Sequence, residues 1–258
     1  KIGTKVTLHP ATFGTCEPGL EDKRHLWPGG GYLGSASTNP HTQGAMSEYF
    51  IARKDALRVL PEELSLDVAA LAEPLGVALH AINIAGSVKG KDVLISGSGP
   101  IGLMVIAASK ILGARSITAT DVLESALKRA EEMGATKVIN VSNSKLSDNS
   151  YDVIFECSAA APAISAAMVA VRRAGIIVQV GMMGAKAQEL VLAPLVAKEI
   201  QLRGTFRFNT EVDDAIVMLA QHEWIGKAIS HTFKVDQVIE AFEVAKDSAK
   251  SGKVLVAL

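Results

Sequence analysis

Apolar residues in the middle of the chain follow two alternating patterns. Six short apolar runs are typical of buried strands, and several are followed by segments with apolar residues at every third or fourth position, as on one face of a helix. The strands are predicted at 93–96, 116–120, 137–140, 152–157, 176–180 and 200–204, with helices after the first, second and fourth. Strands that alternate with helices predict an α/β protein with a parallel, doubly wound sheet.

One connection within this block departs from the pattern. Residues 141–151 are polar and few for a crossover between parallel strands, which ordinarily needs a dozen or more residues. The parallel sheet stays the prediction, and this connection is the one exception to the pattern.

The regions before and after the block have different patterns. The first 60 residues predict short strands around an irregular loop over 12–39, and we place them at 6–8, 48–52 and 58–60. A helical repeat then runs from Ser65 to Ile82, and Pro74 is predicted to separate two helices. After Gly204 the chain predicts helix, strand, helix and strand at 212–220, 229–233, 238–245 and 253–258.

Three glycines follow the first strand of the block, in VLISGSGPIGLMVIAASKILGARSITATD. Gly97 allows a tight turn, Gly99 lets a pyrophosphate approach the backbone, and Gly102 lets the helix lie close to the sheet. Asp121 follows the second strand, nineteen residues after Gly102, where it would accept hydrogen bonds from a ribose. This order of elements predicts a dinucleotide site. The alternatives are a turn that binds nothing and the ribose site of a methyltransferase.

Composition narrows the range of partners. The net charge is −1, and apolar residues make up 48% of the chain, so neither nucleic acid nor a membrane surface is an expected partner. No apolar stretch is long enough to cross a membrane. Cys16 and Cys157 are the only cysteines, which favours a reducing, cytoplasmic location. Since the first residue is Lys1, we expect the chain to begin partway through a longer protein or to have been processed.

Several stretches together resemble the medium-chain dehydrogenase/reductase superfamily, and within it the polyol dehydrogenases. They are GYLGSASTNPHTQGAMSEYF, LAEPLGVALHAINIAG, VLISGSGPIGL, VQVGMMGA and KEIQLRGTFRF. The resemblance runs from about residue 31 to the C-terminus, which is most of the chain. The resemblance implies a β-rich, GroES-like catalytic domain over 1–74 that is incomplete at its N-terminus. It further implies an NAD-binding Rossmann domain over 75–207 and a return to the catalytic domain over 208–258.

The resemblance also implies roles for particular residues. The cofactor would be bound by the glycine turn, by an acid that contacts its ribose, by the strand end beside its nicotinamide and by the segment that closes over it. In chain order these positions are Gly97, Gly99, Ile101, Gly102, Asp121, Val180, Gly181, Met182, Thr205 and Phe206. Glu73 would face a catalytic zinc ion, as a ligand or through its water, and Arg207 would hold the substrate. Glu73 lies in an apolar helix, where an unpaired carboxylate is costly, so we expect it to have a partner. The alternatives are a helix-end acid facing solvent and, for Arg207, an arginine that only stacks on its aromatic neighbours.

Two departures from the family pattern concern zinc. The Cys and the Gly-His-Glu segment that supply family zinc ligands do not occur here, so a catalytic zinc is expected only if the intact protein provides upstream Cys and His ligands. Cys16 stands alone where many relatives have four cysteines, and one thiol cannot build a structural zinc site. No structural zinc is therefore expected.

The expected activity is the NAD-dependent, zinc-assisted oxidation of a secondary alcohol on a small sugar acid or polyol. NAD is favoured over NADP because Asp121 would repel a 2′-phosphate. Two alternatives stay open at this point, a zinc-free reductase of the same superfamily and a truncated dinucleotide-binding protein without catalysis. The resemblance further implies a homodimer or homotetramer.

Overall fold

A computed structural model describes all 258 residues. Its N-terminal region contains two small antiparallel pairs: β1 (Val6–Leu8) pairs with β4 (Leu57–Val59), and β2 (Ala11–Thr12) pairs with β3 (Gly31–Tyr32). The strand predicted at 48–52 is wrong, since these residues are irregular. Tyr49 and Ile51 are almost fully exposed. With no neighbouring strand to take up their backbone hydrogen bonds, β-branched and aromatic residues do not form a strand by themselves.

Two helices connect this region to the central sheet. They are α1 (Leu66–Ala69), whose first turn is capped by the Ser65 hydroxyl, and α2 (Ala72–Ala85). The prediction that Pro74 separates the helices is wrong, because the break falls at Ala70 and Leu71. Pro74 lies in the first turn of α2, where its missing N–H has no partner to lose.

The centre of the molecule is a six-stranded parallel sheet. Its strands are β5 (Asp92–Ser96), β6 (Ser116–Asp121), β7 (Lys137–Asn140), β8 (Tyr151–Glu156), β9 (Val171–Gln179) and β10 (Gln201–Gly204). Their spatial order is β10-β9-β8-β5-β6-β7, so the chain reverses its direction of winding between β5 and β8. Ligands of such sheets bind in the crevice at this switch point. The predicted doubly wound α/β fold is confirmed.

Helices cover both faces of the sheet: α3 (Pro100–Ile111), α4 (Glu124–Glu132), α5 (Ala161–Ala170) and α6 (Ala193–Ala197). The main apolar core lies where α2 and α3 pack together over the sheet. Residues 141–150 connect β7 to β8 without a helix. The sheet is parallel across this short connection, as predicted.

The chain ends in α7 (Glu211–Gln221), β11 (Ile229–Lys234), α8 (Val238–Lys246) and β12 (Lys253–Ala257), close to the predicted bounds. Helix α7 packs on α2. Strands β11 and β12 pair with each other in parallel and not with β1–β4. The division of the chain into domains stays a prediction. None of the helices has both the length and the apolar content required to span a bilayer.

Candidate active site at the switch point

The glycine turn follows β5 and faces the end of β8. Gly97 has a φ of +95°, and a Cβ there would lie 2.8 Å from the backbone nitrogen of Ser158. A Cβ at Gly102 would lie 2.0 Å from the carbonyl oxygen of Gly97, so only glycine allows α3 to start this close to the turn. At Gly99, by contrast, a Cβ would meet no atom within 4 Å. The backbone at Gly99 is therefore open to a ligand, and the first amides of α3 adjoin it.

Asp121 ends β6 beside this turn. One carboxylate oxygen accepts the N–H of Ser98 at 2.9 Å, and the other accepts those of Val122 and Leu123 at 2.8 and 3.0 Å. The carboxylate thus joins the end of β6 to the glycine turn. It is only partly buried, so it also presents negative charge to the crevice where a ribose would lie.

A second carboxylate, which the sequence analysis did not single out, organises the end of β8, opposite the glycine turn. Glu156 is fully buried at the end of β8 and accepts the backbone N–H groups of Ser158 and Ala159 at 2.9 and 3.0 Å. It also accepts the Ser158 hydroxyl and, at 2.7 Å, the side-chain amide of Gln179 on β9. The sequence does contain a signal for this residue, an acid at the end of an otherwise apolar strand. A charge buried in such a place must accept several hydrogen bonds.

The segment predicted to lie beside the nicotinamide follows β9 and is held by the same residue. The backbone carbonyl of Glu156 accepts the N–H groups of both Val180 and Gly181, at 2.9 and 2.8 Å. A Cβ at Gly181 would lie 2.6 Å from the nitrogen of Ala159, so the ends of β8 and β9 are in close contact. Met182 follows with 79% of its surface exposed.

The two predicted catalytic residues meet at a residue the sequence analysis did not single out. Glu73, in the first turn of α2, accepts a hydrogen bond from the Tyr32 hydroxyl, which provides the partner expected for this carboxylate. The guanidinium carbon of Arg207 lies 4.2 Å from the centre of the Tyr32 ring and 4.7 Å from that of Phe206. Arg207 therefore does stack on aromatic rings, and the same stacking brings it to the residue that holds Glu73.

The electrostatics of this cluster keep Tyr32 protonated. Burial raises the pKa of the Tyr32 phenol, and the adjacent Glu73 carboxylate raises it further, against a smaller opposing effect of the Arg207 charge. The Arg207 side chain has one hydrogen bond, from Nη2 to the Ser35 hydroxyl at 3.2 Å. Because a guanidinium carries five N–H donors, most of them stay available to a ligand.

Arg207 and Phe206 line a cleft of about 260 Å³ that also contains Ser37. Thr205 continues from β10, and its N–H donates to the carbonyl of Gln179 at 3.2 Å. Its hydroxyl is buried without a partner. The predicted closing segment therefore leads directly from the sheet edge into this cleft.

The residues present do not form a zinc site by themselves. No group of three or more His, Cys, Asp or Glu side chains is arranged to hold a metal ion. Glu73 could supply one ligand, but one of its oxygens is already bonded by Tyr32. A catalytic zinc site takes three protein ligands, and Glu73 accounts for only one of them.

The family of this chain follows from its similarity to proteins of known sequence. The profile of a family described as "Zinc-binding dehydrogenase" matches residues 100–221. L-idonate 5-dehydrogenase (NAD(P)(+)) of Escherichia coli strain K12 is 33% identical, across 98% of this chain and 75% of that protein. The chain belongs to the zinc-type medium-chain dehydrogenases. D-xylulose reductase of Saccharomyces cerevisiae, at 31% identity over 94% of the chain and 71% of its own length, is another similar member.

The solved structures of this dehydrogenase family agree with the fold. The crystal structure of L-idonate 5-dehydrogenase from Escherichia coli K-12 superposes with a TM-score of 0.93 at 32% identity, over 99% of this chain and 76% of that one. That of 2R,3R-butanediol dehydrogenase from Bacillus subtilis superposes with a TM-score of 0.87 at 27% identity, over 100% and 75%. The resemblance to the polyol branch is thereby confirmed at the level of the family. The roles of individual site residues stay predictions.

Proposed function

We propose that this protein oxidises a secondary alcohol of a sugar acid or polyol with NAD, in a reaction of the L-idonate to 5-keto-D-gluconate type. The observation that carries the proposal is the cluster of Glu73, Tyr32 and Arg207 beside the segment that continues from β10. A cofactor extended across the switch point from Gly99 would have its nicotinamide between Gly181 and Thr205. The cluster adjoins that position, so a bound alcohol there would meet both the cofactor and two charged side chains.

Each side chain has a distinct task in this proposal. Arg207 binds the carboxylate of a sugar acid through its free N–H donors, because its planar fork matches the geometry of a carboxylate. Stacking between Tyr32 and Phe206 holds that plane in one orientation. Oxidation transfers a hydride from the alcohol carbon to the nicotinamide and releases the hydroxyl proton. In this proposal Glu73, the carboxylate of the cluster, accepts the released proton, which then passes to solvent.

Zinc enters the proposal only as an ion for which Glu73 would be a ligand. A bound zinc ion supplies a Lewis acid that favours the alkoxide form of an alcohol. Glu73 would be one of its ligands, and no group of three or more His, Cys, Asp or Glu side chains supplies the others.

The preference for NAD rests on Asp121. Its carboxylate is fixed at the end of β6 by three backbone N–H groups, and a 2′-phosphate would have to approach this negative charge. Arg129, a cation on the following helix, donates Nη2 to the carbonyl of Ser248 at 2.7 Å, so this one of its donors is not free for a phosphate. We further propose a homodimer or homotetramer, for which β10 offers a sheet edge that pairs only with β9.

The test compares Arg207→Ala with the unchanged protein on L-idonate and on the uncharged polyol sorbitol. A lost arginine–carboxylate contact is worth about 1.5–3 kcal/mol, so kcat/KM for L-idonate should fall about tenfold to a hundredfold. Sorbitol turnover and NAD affinity, measured by calorimetry, should change much less. Arg173→Ala is the matched control, because Arg173 is exposed and bonds only the carbonyl of Ala197. Unchanged L-idonate turnover in Arg207→Ala would overturn the proposed role.

A further inference from the structure

A second buried carboxylate lies four residues after Arg207 in the chain. Glu211, the first residue of α7, is only 6% exposed and accepts four hydrogen bonds. Its Oε2 atom accepts the backbone N–H groups of Asn209 and Thr210, at 2.8 and 3.1 Å. Its Oε1 atom accepts His80 Nδ1 and Asn83 Nδ2, at 2.8 and 3.0 Å. One oxygen thus binds the loop that carries Arg207, and the other binds α2, which carries Glu73.

His80 and Asn83, the two hydrogen-bond partners on α2, stabilise the charged form of the Glu211 carboxylate. Burial alone would raise the pKa of Glu211, but the hydrogen bonds from His80, Asn83 and the Asn209 N–H outweigh burial and lower it to about 2. With Glu211 ionised, His80 Nδ1 must carry the shared proton and donate it. The connection between loop and helix is therefore made of charge-assisted hydrogen bonds, the stronger kind.

The loop that Glu211 holds has an unfavourable backbone conformation at Arg207 itself. Arg207 has a φ of +52°, in the left-handed region that a residue with a Cβ rarely adopts. Such a conformation persists only where the surroundings over-determine it. Phe208 is fully buried, and the carbonyl of Asn209 accepts His9 Nε2 at 3.2 Å, so the residues after Arg207 are fixed from a second direction.

We propose that Glu211 is a positioning residue for the substrate: it fixes the loop so that the Arg207 guanidinium faces the cleft beside Tyr32. The proposal rests on the proposed function of Arg207. Without the carboxylate, Arg207 would relax toward an ordinary backbone conformation, and its guanidinium would leave the Tyr32 ring. The competing explanation is that Glu211 only stabilises the start of α7, because Asn209 and Thr210 supply N–H groups at that helix end.

Coupling between the two residues separates these explanations. Glu211→Gln keeps the shape of the side chain but removes its charge and replaces one of the two acceptor oxygens with an NH₂ donor. In the otherwise unchanged protein it should raise KM for L-idonate about tenfold, while kcat and the NAD dissociation constant stay within twofold. In the Arg207→Ala background the same substitution should change kcat/KM by less than twofold, because the group it positions is gone.

Glu156→Gln is the matched control, since it alters a buried carboxylate with equally many bonds on the cofactor side. It should weaken NAD binding. Its effect on kcat/KM for L-idonate should be the same in the Arg207→Ala background as in the otherwise unchanged protein, so that the two fold-changes multiply. If the effects of Glu211→Gln and Arg207→Ala on kcat/KM also multiply, the positioning role is overturned. The same holds if Glu211→Gln weakens NAD binding as much as Glu156→Gln does. If Arg207→Ala alone leaves L-idonate turnover unchanged, the proposed function itself has failed, and the two failures are distinguished by that single variant.

A milder variant serves if Glu211→Gln does not fold. Asn83→Ala removes one of the two donors on α2 and leaves the carboxylate in place. Amide hydrogen exchange over residues 205–210 should accelerate in this variant, with KM for L-idonate raised severalfold. Accelerated exchange in α7 without any change at 205–210 or in KM would show that Glu211 acts on the helix alone and would overturn the proposal.

Discussion

The two walls of the crevice are built in different ways. The cofactor wall, at the glycine turn, depends on glycine where side chains do not fit, and its contacts join strands that are neighbours in the sheet. The substrate wall joins Tyr32, Glu73 and Arg207, which lie on three separate elements, and it depends on charge and aromatic stacking. Tyr32 and Glu73 are 41 residues apart, and Ser35 and Arg207 are 172 apart. Steric fit therefore governs the first wall, and long-range electrostatic contacts govern the second.

The steric character of the cofactor wall predicts the largest effect. Gly102→Ala would bring a Cβ within 2.0 Å of the Gly97 carbonyl, and because both atoms belong to backbone the turn must shift. Overpacking of this kind costs about 1–3 kcal/mol, occasionally more, and we expect urea denaturation to show a loss at the upper end of that range.

Gly99→Ala is the control for this prediction, since an added Cβ meets no neighbour. Its stability should stay within about 0.5 kcal/mol of the unchanged protein, while NAD affinity falls if the pyrophosphate lies over Gly99. Equal stability of the two alanine variants would contradict the steric account of this wall.

The electrostatic character of the substrate side predicts a pH dependence of stability. The pKa of Glu211 is lowered to about 2 from an ordinary value near 4.5. A carboxylate with a lowered pKa stabilises the fold at pH values above 4.5, and the stabilisation is lost as pH falls from 4.5 toward 2. At about 1.4 kcal/mol per pH unit, the loss is at most about 3.5 kcal/mol.

The measurement is the difference in unfolding free energy between the unchanged protein and Glu211→Gln, taken by urea denaturation at several pH values. Other carboxylates titrate alike in both proteins and cancel in the difference. That difference should shrink as pH falls through this window. A difference independent of pH would show that the charge of Glu211 contributes nothing.

A smaller effect, on cofactor preference, is expected at Asp121, which adds a negative charge to the cofactor wall. Asp121→Asn removes the charge that a 2′-phosphate would meet and keeps an oxygen for the nearby N–H groups. The ratio of NADP to NAD affinity should rise about tenfold, which corresponds to about 1.4 kcal/mol. Calorimetric titration with both cofactors measures it, with Glu132→Gln as a control that removes an exposed charge from α4. Tighter NADP than NAD binding by the unchanged protein would refute the assignment.

The smallest effect is predicted for Tyr32→Phe, which separates the two contacts of that residue. The ring under Arg207 is kept, so the preference of the enzyme for L-idonate over sorbitol should change by less than about twofold. Tyr32→Ala removes the ring and should reduce that preference about as strongly as Arg207→Ala does. Ratios of kcat/KM for the two substrates test this. A large loss of preference in Tyr32→Phe would mean that the hydroxyl, rather than the stacking, positions the arginine.

Much of the cofactor wall could be predicted from the sequence, because backbone sterics are local. The spacing of Gly97, Gly99 and Gly102 after an apolar strand is sufficient to predict the turn. Five strands of the central sheet lie within one residue of their predicted bounds, and β9 begins five residues before its predicted start. The errors lie where tertiary context decides. Residues 48–52 have strand-forming side chains but no partner strand. Pro74 does not break the helix, because it lies in the first turn of α2, which begins two residues earlier at Ala72.

The alternation of apolar strands and helices determined the parallel sheet, and the glycine spacing determined where its crevice lies. Both follow from periodicity and from the space around a Cα atom, which act over a few residues. Only the tertiary structure brought Tyr32 between Glu73 and Arg207 and placed Glu211 against His80, 131 residues away in the chain. Such contacts arise because closing long loops and packing α7 on α2 bring distant side chains into one buried volume. There, an ionised carboxylate must find hydrogen-bond donors wherever the fold supplies them.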